Sequence, residues 1–287
     1  MKRIDIFGSI NLDEIILVDE LPSSHSKIRA KAVHRSLGGS AANTATWIAG
    51  QHDLEVRLIG NVGGDEEGKY CVEELRSRQI ETEFIAQMAE RRTARSWCFS
   101  TGTDKSIITF HDRPESYPPS QLTSRIGLAD HVHVAGSEIV PANFDQSLMK
   151  GATVSLELKG SVHKDLLAIA NVVFLNADEL ERSFGFSIEK LMSLGASIPG
   201  LRPDAVVVVT HGHLGSLAVS PPVIEKQAAQ RALLFVDRTG AGDAFNAGFL
   251  SSWLYDHQDL SSALIAGNGF AARAISQIGG AKQCELH

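Results

Sequence analysis

The stretch DRTGAGDAF, residues 237–245, puts three residues with little or no side chain directly before an acid, Asp243. It follows an apolar run at 233–236 and leads into AFNAGFLSSWLYD, where Phe245, Phe249 and Trp253 recur at i, i+4 and i+8. That spacing predicts a helix beginning near 240–243. The first turn of such a helix carries unpaired N–H groups and the positive end of the helix dipole. Gly240, Ala241 and Gly242 would let an anion approach those amides closely. As a tight turn alone, the stretch would use Asp243 only as a helix cap. An acid inside an anion-binding loop, however, repels bound phosphate unless it serves a neighbouring hydroxyl. A carboxylate that takes a hydroxyl proton, beside amides that stabilise a transferring phosphoryl group, is chemistry suited to phosphotransfer.

Such a loop needs a sheet to carry it. Short β-branched runs at 4–7, 56–60, 131–136, 153–158, 172–176 and 205–210 alternate with longer helical patterns. Several are nearly all apolar, AVVVVT at 205–210 above all, as in strands covered on both faces by crossover helices. The expected fold class is therefore α/β, a central mostly parallel sheet flanked by helices. The loop at 237–243 would then sit at a carboxyl strand edge, where open α/β sheets bind ligands. Residues 13–37 and 84–111 differ: they are more polar and alternate, as in 95–99 and 106–110. They read as antiparallel strands with one solvated face, a small β-stranded lid over the sheet edge. No repeat, linker or low-complexity segment divides the chain, so residues 1–287 read as one domain.

Composition sets outer bounds. The 287 residues are 43% hydrophobic, enough for a substantial core, and the formal net charge of −7 argues against a general nucleic-acid binder. Three cysteines, Cys71, Cys98 and Cys284, are sparse, far apart and unpaired in motif, which suits a reducing compartment. The apolar part of MKRIDIFGSINLDEI is too short and too acidic for a signal peptide, and no run reaches the roughly 18 residues of a membrane span. The expectation is a cytoplasmic protein with no membrane partner.

DRTGAGDAFNAGF resembles the carboxyl-terminal signature of the ribokinase-like (PfkB-type) carbohydrate kinases, DTxGAGD. Further segments resemble that family in its expected order: GSINLD at 8–13, GGSAANTA at 38–45, IGNVGGDEEG at 59–68, NADE at 176–179 and VTHGHLGS at 209–216. The resemblance covers essentially the whole chain. It implies transfer of the γ-phosphoryl of ATP to a hydroxyl of a sugar-like acceptor, with Asp243 as base and the Gly240, Ala241 and Gly242 amides as anion hole. Asn11, Asp13, Gly39 and Asn43 would hold acceptor hydroxyls, with Glu138 after the strand at 131–136 as a further contact or a solvent-facing side chain. Asn176 and Glu179 would lie near the phosphates and a hydrated Mg²⁺. Thr210, Gly212 and Gly215 would line the nucleotide side, with Asn268 nearest the base. The resemblance also implies a K⁺ beside the anion hole, with candidate positions Asp237, Thr239, Ala274 and Gly279, and a homodimer paired through the lids.

There are departures and rivals. Arg238 replaces a small residue of the signature, either as a surface side chain or as a reach toward phosphate. The strand at 153–158 lacks the D-x-N-x-R of the family's sugar-acid kinases, which weighs against a keto-deoxy sugar acid. Lys27 with Arg29, and Arg91, Arg92 and Arg95, would bind a phosphate or carboxylate on the acceptor if they point inward, and are solvated otherwise. Trp97 and Phe99 either stack on a ring of the ligand or pack within the lid. Ribose, fructose, a nucleoside, a sugar phosphate and an amino-sugar conjugate all fit the polar residues. GGDEEGKY at 63–70 nearly spells a Walker A loop, but Tyr70 cannot supply the hydroxyl that motif needs. Outside the kinase class, His131-x-His133 and His211-x-His213 suggest a metal-dependent hydrolase, although no third ligand is evident. A non-catalytic sugar or nucleotide sensor is the other alternative.

Overall fold

A computed structural model of the chain describes residues 2–51, 54–101, 104–112, 128–136, 149, 151–159, 164–195, 198–255 and 259–283. The expected parallel strands are present as β1 (Lys2–Gly8), β4 (Leu54–Gly63), β8 (His131–Ala135), β9 (Thr153–Glu157), β10 (Val172–Asn176) and β11 (Val206–Thr210). They lie in one nine-stranded sheet of order β13-β12-β11-β10-β9-β8-β1-β4-β5. The pairs from β11 across to β5 are parallel.

Two parts of this sheet are additions to the sequence reading. β5 (Ile85–Met88) pairs with β4, so the start of the 84–111 segment belongs to the large sheet and not to the lid. At the opposite edge, β12 (Ser216–Ser220) and β13 (Val223–Gln227) form an antiparallel hairpin. Two residues, Pro221-Pro222, connect them, and a two-residue connection can serve only antiparallel neighbours.

The sheet is covered on both faces, and strand alternation explains the division of its core. Phe174 packs into one cluster with Ile4, Ile6, Val208, Phe245 and Phe249, whereas its neighbours Val173 and Leu175 pack into the other with Val132, Leu156 and Val209. On the first face lie α1 (Ser40–Ile48), α6 (Ala241–Tyr255) and α7 (Leu260–Ala274). The second is covered by α3 (Lys164–Ile169), α4 (Ala177–Phe184) and α5 (Ile188–Leu194). The expected amphipathic helix is α6, yet every residue from Asp243 to Leu254 is buried. It is a central helix, with its aromatic face on the sheet and its small residues against α1 and α7.

The lid is a separate four-stranded sheet of order β3-β2-β6-β7, built from β2 (Asn11–Leu17), β3 (Ala32–Gly38), β6 (Ala94–Ser100) and β7 (Lys105–Phe110). The expectation of antiparallel strands holds for β2–β3 and β6–β7. It fails at the centre, where β2 and β6 pair in parallel. The polypeptide between those two strands includes α1, β4, α2 (Glu66–Ser77) and β5, long enough to return to the same end, as a parallel pair requires. Val33, Ile107, Ile108 and Phe110 are exposed on this sheet.

Candidate active site

Parallel strands share a direction, so the carboxyl ends of β1, β8, β9, β10 and β11 lie along one edge. Chain order reverses there, because β4 and β8 flank β1 on opposite sides. At this edge α1 and α6 bring together residues 200 positions apart in sequence: Asn43 Nδ2 donates to Asp243 Oδ2 at 2.7 Å. Both side chains are buried, and the Thr44 hydroxyl donates to the Asp243 carbonyl at 3.4 Å.

The other residues named as acceptor contacts surround that pair. Asn11 and Asp13 open β2, directly after the end of β1, and are buried. Gly39 caps α1 with φ of 92°, a conformation that favours glycine, and a Cβ there would also strike the Ser9 carbonyl. Burial pushes Asp13 up to about 6, aided by the nearby charges of Asp243 and Asp237 and opposed by a hydrogen bond from Ser96. Asn11 Oδ1 and Asn43 Oδ1 are buried without a hydrogen-bond partner. A buried acceptor atom left unpaired costs free energy, so this floor suits a ligand that brings hydroxyl donors. Glu138 lies outside the described residues.

The loop before α6 is held by a carboxylate. Asp237 accepts from the Thr239 amide at 3.0 Å, the Thr239 hydroxyl at 2.8 Å and the Gly279 amide at 3.1 Å. The Val236 amide donates to Ile275 O at 2.8 Å, so 236–239 and 275–279 form one loop pair. Gly240 has φ of 73° and lies against the backbone of Gly280, which leaves no room for a Cβ. The Ala241 amide closes a 3.3 Å turn onto Arg238 O, and the helical ladder begins with Ala244 N donating to Gly240 O at 2.8 Å. Gly242 is exposed at the head of the helix, as is Arg238.

Three residues that sequence reasoning missed, Lys159, Glu157 and Asn246, join Asp243 here. Lys159, just beyond β9, places Nζ 3.2 Å from Asp243 Oδ1 and 3.0 Å from Glu157 Oε1, and donates to Ser40 Oγ at 2.6 Å. Asn246, one turn after Asp243 on α6, donates to Glu157 Oε1 at 3.3 Å, while Glu157 Oε2 is buried without a partner. Burial pushes Glu157 up to about 7, against the pull of Lys159. Burial opposes the charge on Lys159, but Asp243 and Glu157 outweigh it and raise its proton affinity above that of an ordinary lysine. The available signal was the period-2 row Ser155, Glu157, Lys159 at a strand end, visible only once its face is known.

On the nucleotide side, Thr210 ends β11, and the 211–215 turn closes with His211 N donating to Gly215 O at 2.8 Å. Gly212 and Gly215 have φ of 53° and 96°. Asn268 is buried on α7, where Nδ2 donates to Ser216 Oγ at 2.9 Å and Ala228 O at 3.3 Å. It therefore ties α7 to β12 and to the chain after β13. Asn176 and Glu179 form a capping box at the start of α4, with reciprocal bonds of 2.8 Å.

For Mg²⁺, Glu179 has one oxygen in its capping box, while Asp243 and Glu157 share Lys159. Among the described residues no three His, Cys, Asp or Glu side chains converge on a metal position. An ion that keeps its waters would not need such a cluster, and Glu179 would reach it through one of them. Of the K⁺ positions, Asp237, Thr239 and Gly279 adjoin through the Asp237 carboxylate. The Ala274 and Gly279 carbonyls, however, already accept from Gln277 at 3.2 and 3.4 Å.

In the rival metal pair, three of the four ring nitrogens meet hydroxyls, and His133 Nε2 is buried without a partner. Both nitrogens of His131 are engaged, Nδ1 with the Thr153 hydroxyl and Nε2 with the Ser155 hydroxyl, each at 2.8 Å. His133 Nδ1 meets the same Ser155 hydroxyl at 2.7 Å. Burial pushes both imidazoles down to about 3, so this is a neutral ladder under α6. His211 and His213 are exposed in a turn. In the Walker-like stretch, Asp65 caps α2 by accepting from Gly68 N at 3.0 Å. Among the basic side chains, Arg91 pairs with Asp112 at 2.7 Å, Arg95 pairs with Glu67, and Lys27 and Arg29 are exposed. Trp97 and Phe99 are half-buried in β6.

Comparison with known proteins identifies the family and the fold. Residues 1–285 match the family described as pfkB family carbohydrate kinase. An ATP-dependent ribose-1-phosphate kinase of Halopiger xanaduensis is 29% identical, over 97% of this chain and 94% of its own length. A nucleoside kinase of Methanothermobacter thermautotrophicus is 29% identical over 86% of this chain and 81% of its own. The fold is shared with Arabidopsis thaliana ribokinase complexed with ribose and ATP, at a TM-score of 0.81 and 22% identity, covering 97% of this chain and 94% of that one. No helix among the described residues is long and apolar enough to cross a membrane.

Proposed function

The chain belongs to the pfkB family of carbohydrate kinases, ATP-dependent phosphotransferases, and on that premise we propose that it phosphorylates a pentose hydroxyl with Asp243 as general base. The observation that carries this reading is the place of Asp243. It is buried in the first turn of α6, beside Gly240 and Gly242, and is aimed by Asn43 at 2.7 Å and Lys159 at 3.2 Å.

The acceptor would lie on Asp13 and on Asn11 and Asn43, whose side-chain oxygens need donors, with Gly39 allowing close approach. One of its hydroxyls would donate to Asp243. The γ-phosphoryl would rest against the amides at the start of α6, where the helix dipole favours negative charge. As the acceptor oxygen bonds to phosphorus, the bond to the leaving ADP oxygen breaks and the hydroxyl proton passes to Asp243. When bound, a hydrated Mg²⁺ offsets charge on the phosphates, and Glu179 would be its link to the protein. Thr210, Gly212 and Gly215 would border the nucleotide, while Asn268 would hold that wall in place. Closure of the lid over the acceptor would exclude water and limit ATP hydrolysis. Its exposed apolar residues are where two lids would pair in a dimer.

A pentose acceptor is favoured because the similar enzymes are named for ribose, ribose-1-phosphate and nucleosides. The ion pairs of Arg91 and Arg95 support an acceptor whose sugar, more than an added phosphate, is recognised. ADP release from Mg·ATP should be measured across ribose, nucleosides, ribose phosphates and hexoses, with Asp243→Asn as control. Turnover with a pentose compound that the substitution abolishes is the expected result. Turnover with hexoses alone would overturn the acceptor assignment, and ATP binding without acceptor-dependent turnover would favour the sensor.

A further inference from the structure

One ammonium group sits between two carboxylates. Lys159 Nζ spans Glu157 Oε1 at 3.0 Å and Asp243 Oδ1 at 3.2 Å, with Ser40 Oγ as its third partner at 2.6 Å. Three donors therefore meet three acceptors. The two acids are not equivalent. Both Asp243 oxygens have a partner, Asn43 and Lys159, whereas Glu157 directs Oε1 to Lys159 and Asn246 and leaves Oε2 buried and unpaired. Asn246 and Asp243 stand one turn apart on α6, so one helix face holds both the base and the clamp on its neighbour.

The geometry points to Glu157 and Lys159 as a positioning pair that aims Asp243 and sets the balance of charge around it, so that removing either charge should move the acid limb of the reaction. This inference rests on the reading of Asp243 as the base. Its physical content is a balance of charges at short range. Lys159 favours the Asp243 carboxylate, and an ionised Glu157 opposes it. The unpaired oxygen of Glu157 offers a place for a proton, and burial raises the proton affinity of that carboxyl against the pull of Lys159. Asp13 on β2 also acts on Asp243, and because burial raises it to about 6 its own acid limb is common to every variant compared below. From α4, Glu179 adds a negative charge that acts on Glu157. His133 on β8 is buried and neutral, and Ser40 on α1 carries no charge.

The signs of three substitutions follow. Lys159→Met leaves Asp243 beside Glu157 with no cation, so the acid limb of kcat/KM should move to higher pH by about 1–3 units, the range for loss of a close opposite charge. Glu157→Gln keeps the shape, removes the opposing charge and commits Lys159 to Asp243, so the limb should move to lower pH. The double variant removes both terms and should recover at least half of the Lys159→Met shift. Lys159→Arg should keep the wild-type limb even where turnover falls.

The test is kcat/KM against pH, with Mg·ATP saturating and the acceptor varied, for these variants and Asp243→Asn. Opposite shifts in the two single variants with recovery in the double would establish the pair. Equal loss of turnover at every pH with unmoved limbs, or shifts of the same sign, would reduce both residues to packing and overturn the inference. Glu157→Gln is nearly isosteric, so its shift decides the question if Lys159→Met does not fold. Asp243→Asn separates the two levels: near-wild-type turnover there removes the base itself, whereas its loss with unmoved limbs removes only the pair.

Discussion

The two halves of the site are built from different materials. On the acceptor half, side chains dominate: Asp13, Asn11 and Asn43 are buried, and the two asparagines leave an acceptor atom unpaired. On the phosphate half, backbone dominates. Gly240 is half-buried and Gly242 exposed at the helix head, and the nearby side chains of Asp237, Asn176 and Asn268 are spent holding loops in shape. The proposed ligands account for the difference. A sugar presents hydroxyls in a particular arrangement, and directional side-chain groups can read that arrangement. Phosphates present diffuse negative charge, which a helix terminus meets without a charged side chain. Asp243 and Lys159 stand at the seam between the halves.

That division can be broken one residue at a time. The largest effect should come at the seam: Asp243→Asn should lower kcat by roughly 10²–10⁴-fold, the range for a lost general base, with ATP affinity kept. Next, Asp13→Asn should lower kcat/KM for the acceptor by roughly 10–100-fold, since hydrogen bonds to charged groups contribute about 1.5–3 kcal/mol, and leave the KM for ATP unchanged. The same residue predicts a pH effect. Burial raises Asp13 to about 6, so its carboxylate form is lost as pH falls through that value. Acceptor KM should therefore rise below about pH 6 while ATP KM does not.

Gly240→Val tests the other half, because φ of 73° and contact with Gly280 leave no place for a side chain. It should raise the KM for ATP by ~10-fold, from strain of a few kcal/mol that moves the helix head, with acceptor affinity retained. The smallest effect is expected at Asn268→Ala. Losing its ties to Ser216 and Ala228 should lower Tm by about 2–4 °C and change ATP KM only a few-fold. An effect on acceptor affinity larger than on ATP affinity, in either variant, would break the comparison.

The sequence made some of this plain and hid the rest for identifiable reasons. The parallel strands were legible because burial on both faces leaves continuous apolar runs. The turn before α6 was legible because few sequences other than Gly-Ala-Gly allow a helix head so bare. β5 was not, since four residues assigned by pairing alone carry no period. The parallel β2–β6 pair was hidden because alternation shows a solvated face and not the direction of the neighbour. His131-x-His133 looked like a ligand pair until Thr153 and Ser155, on the adjacent strand in matching register, supplied its hydrogen bonds. Glu157 and Lys159 were missed because their partners Asp243 and Asn246 lie more than 80 residues away. Only the fold shows that they share a face. NADE at 176–179 can be read as a phosphate-side motif and as a capping box, and both readings place it at the carboxyl end of β10.

The central claim is that a buried base at the helix head couples ATP cleavage to an acceptor held by side chains. The most direct test is ADP release from Mg·ATP with and without the pentose acceptor, in the wild-type protein and in Asp243→Asn. The account predicts acceptor-dependent release in the wild type that falls to the acceptor-free level in the variant, with both proteins binding ATP equally. Acceptor-dependent release that persists in Asp243→Asn would contradict it.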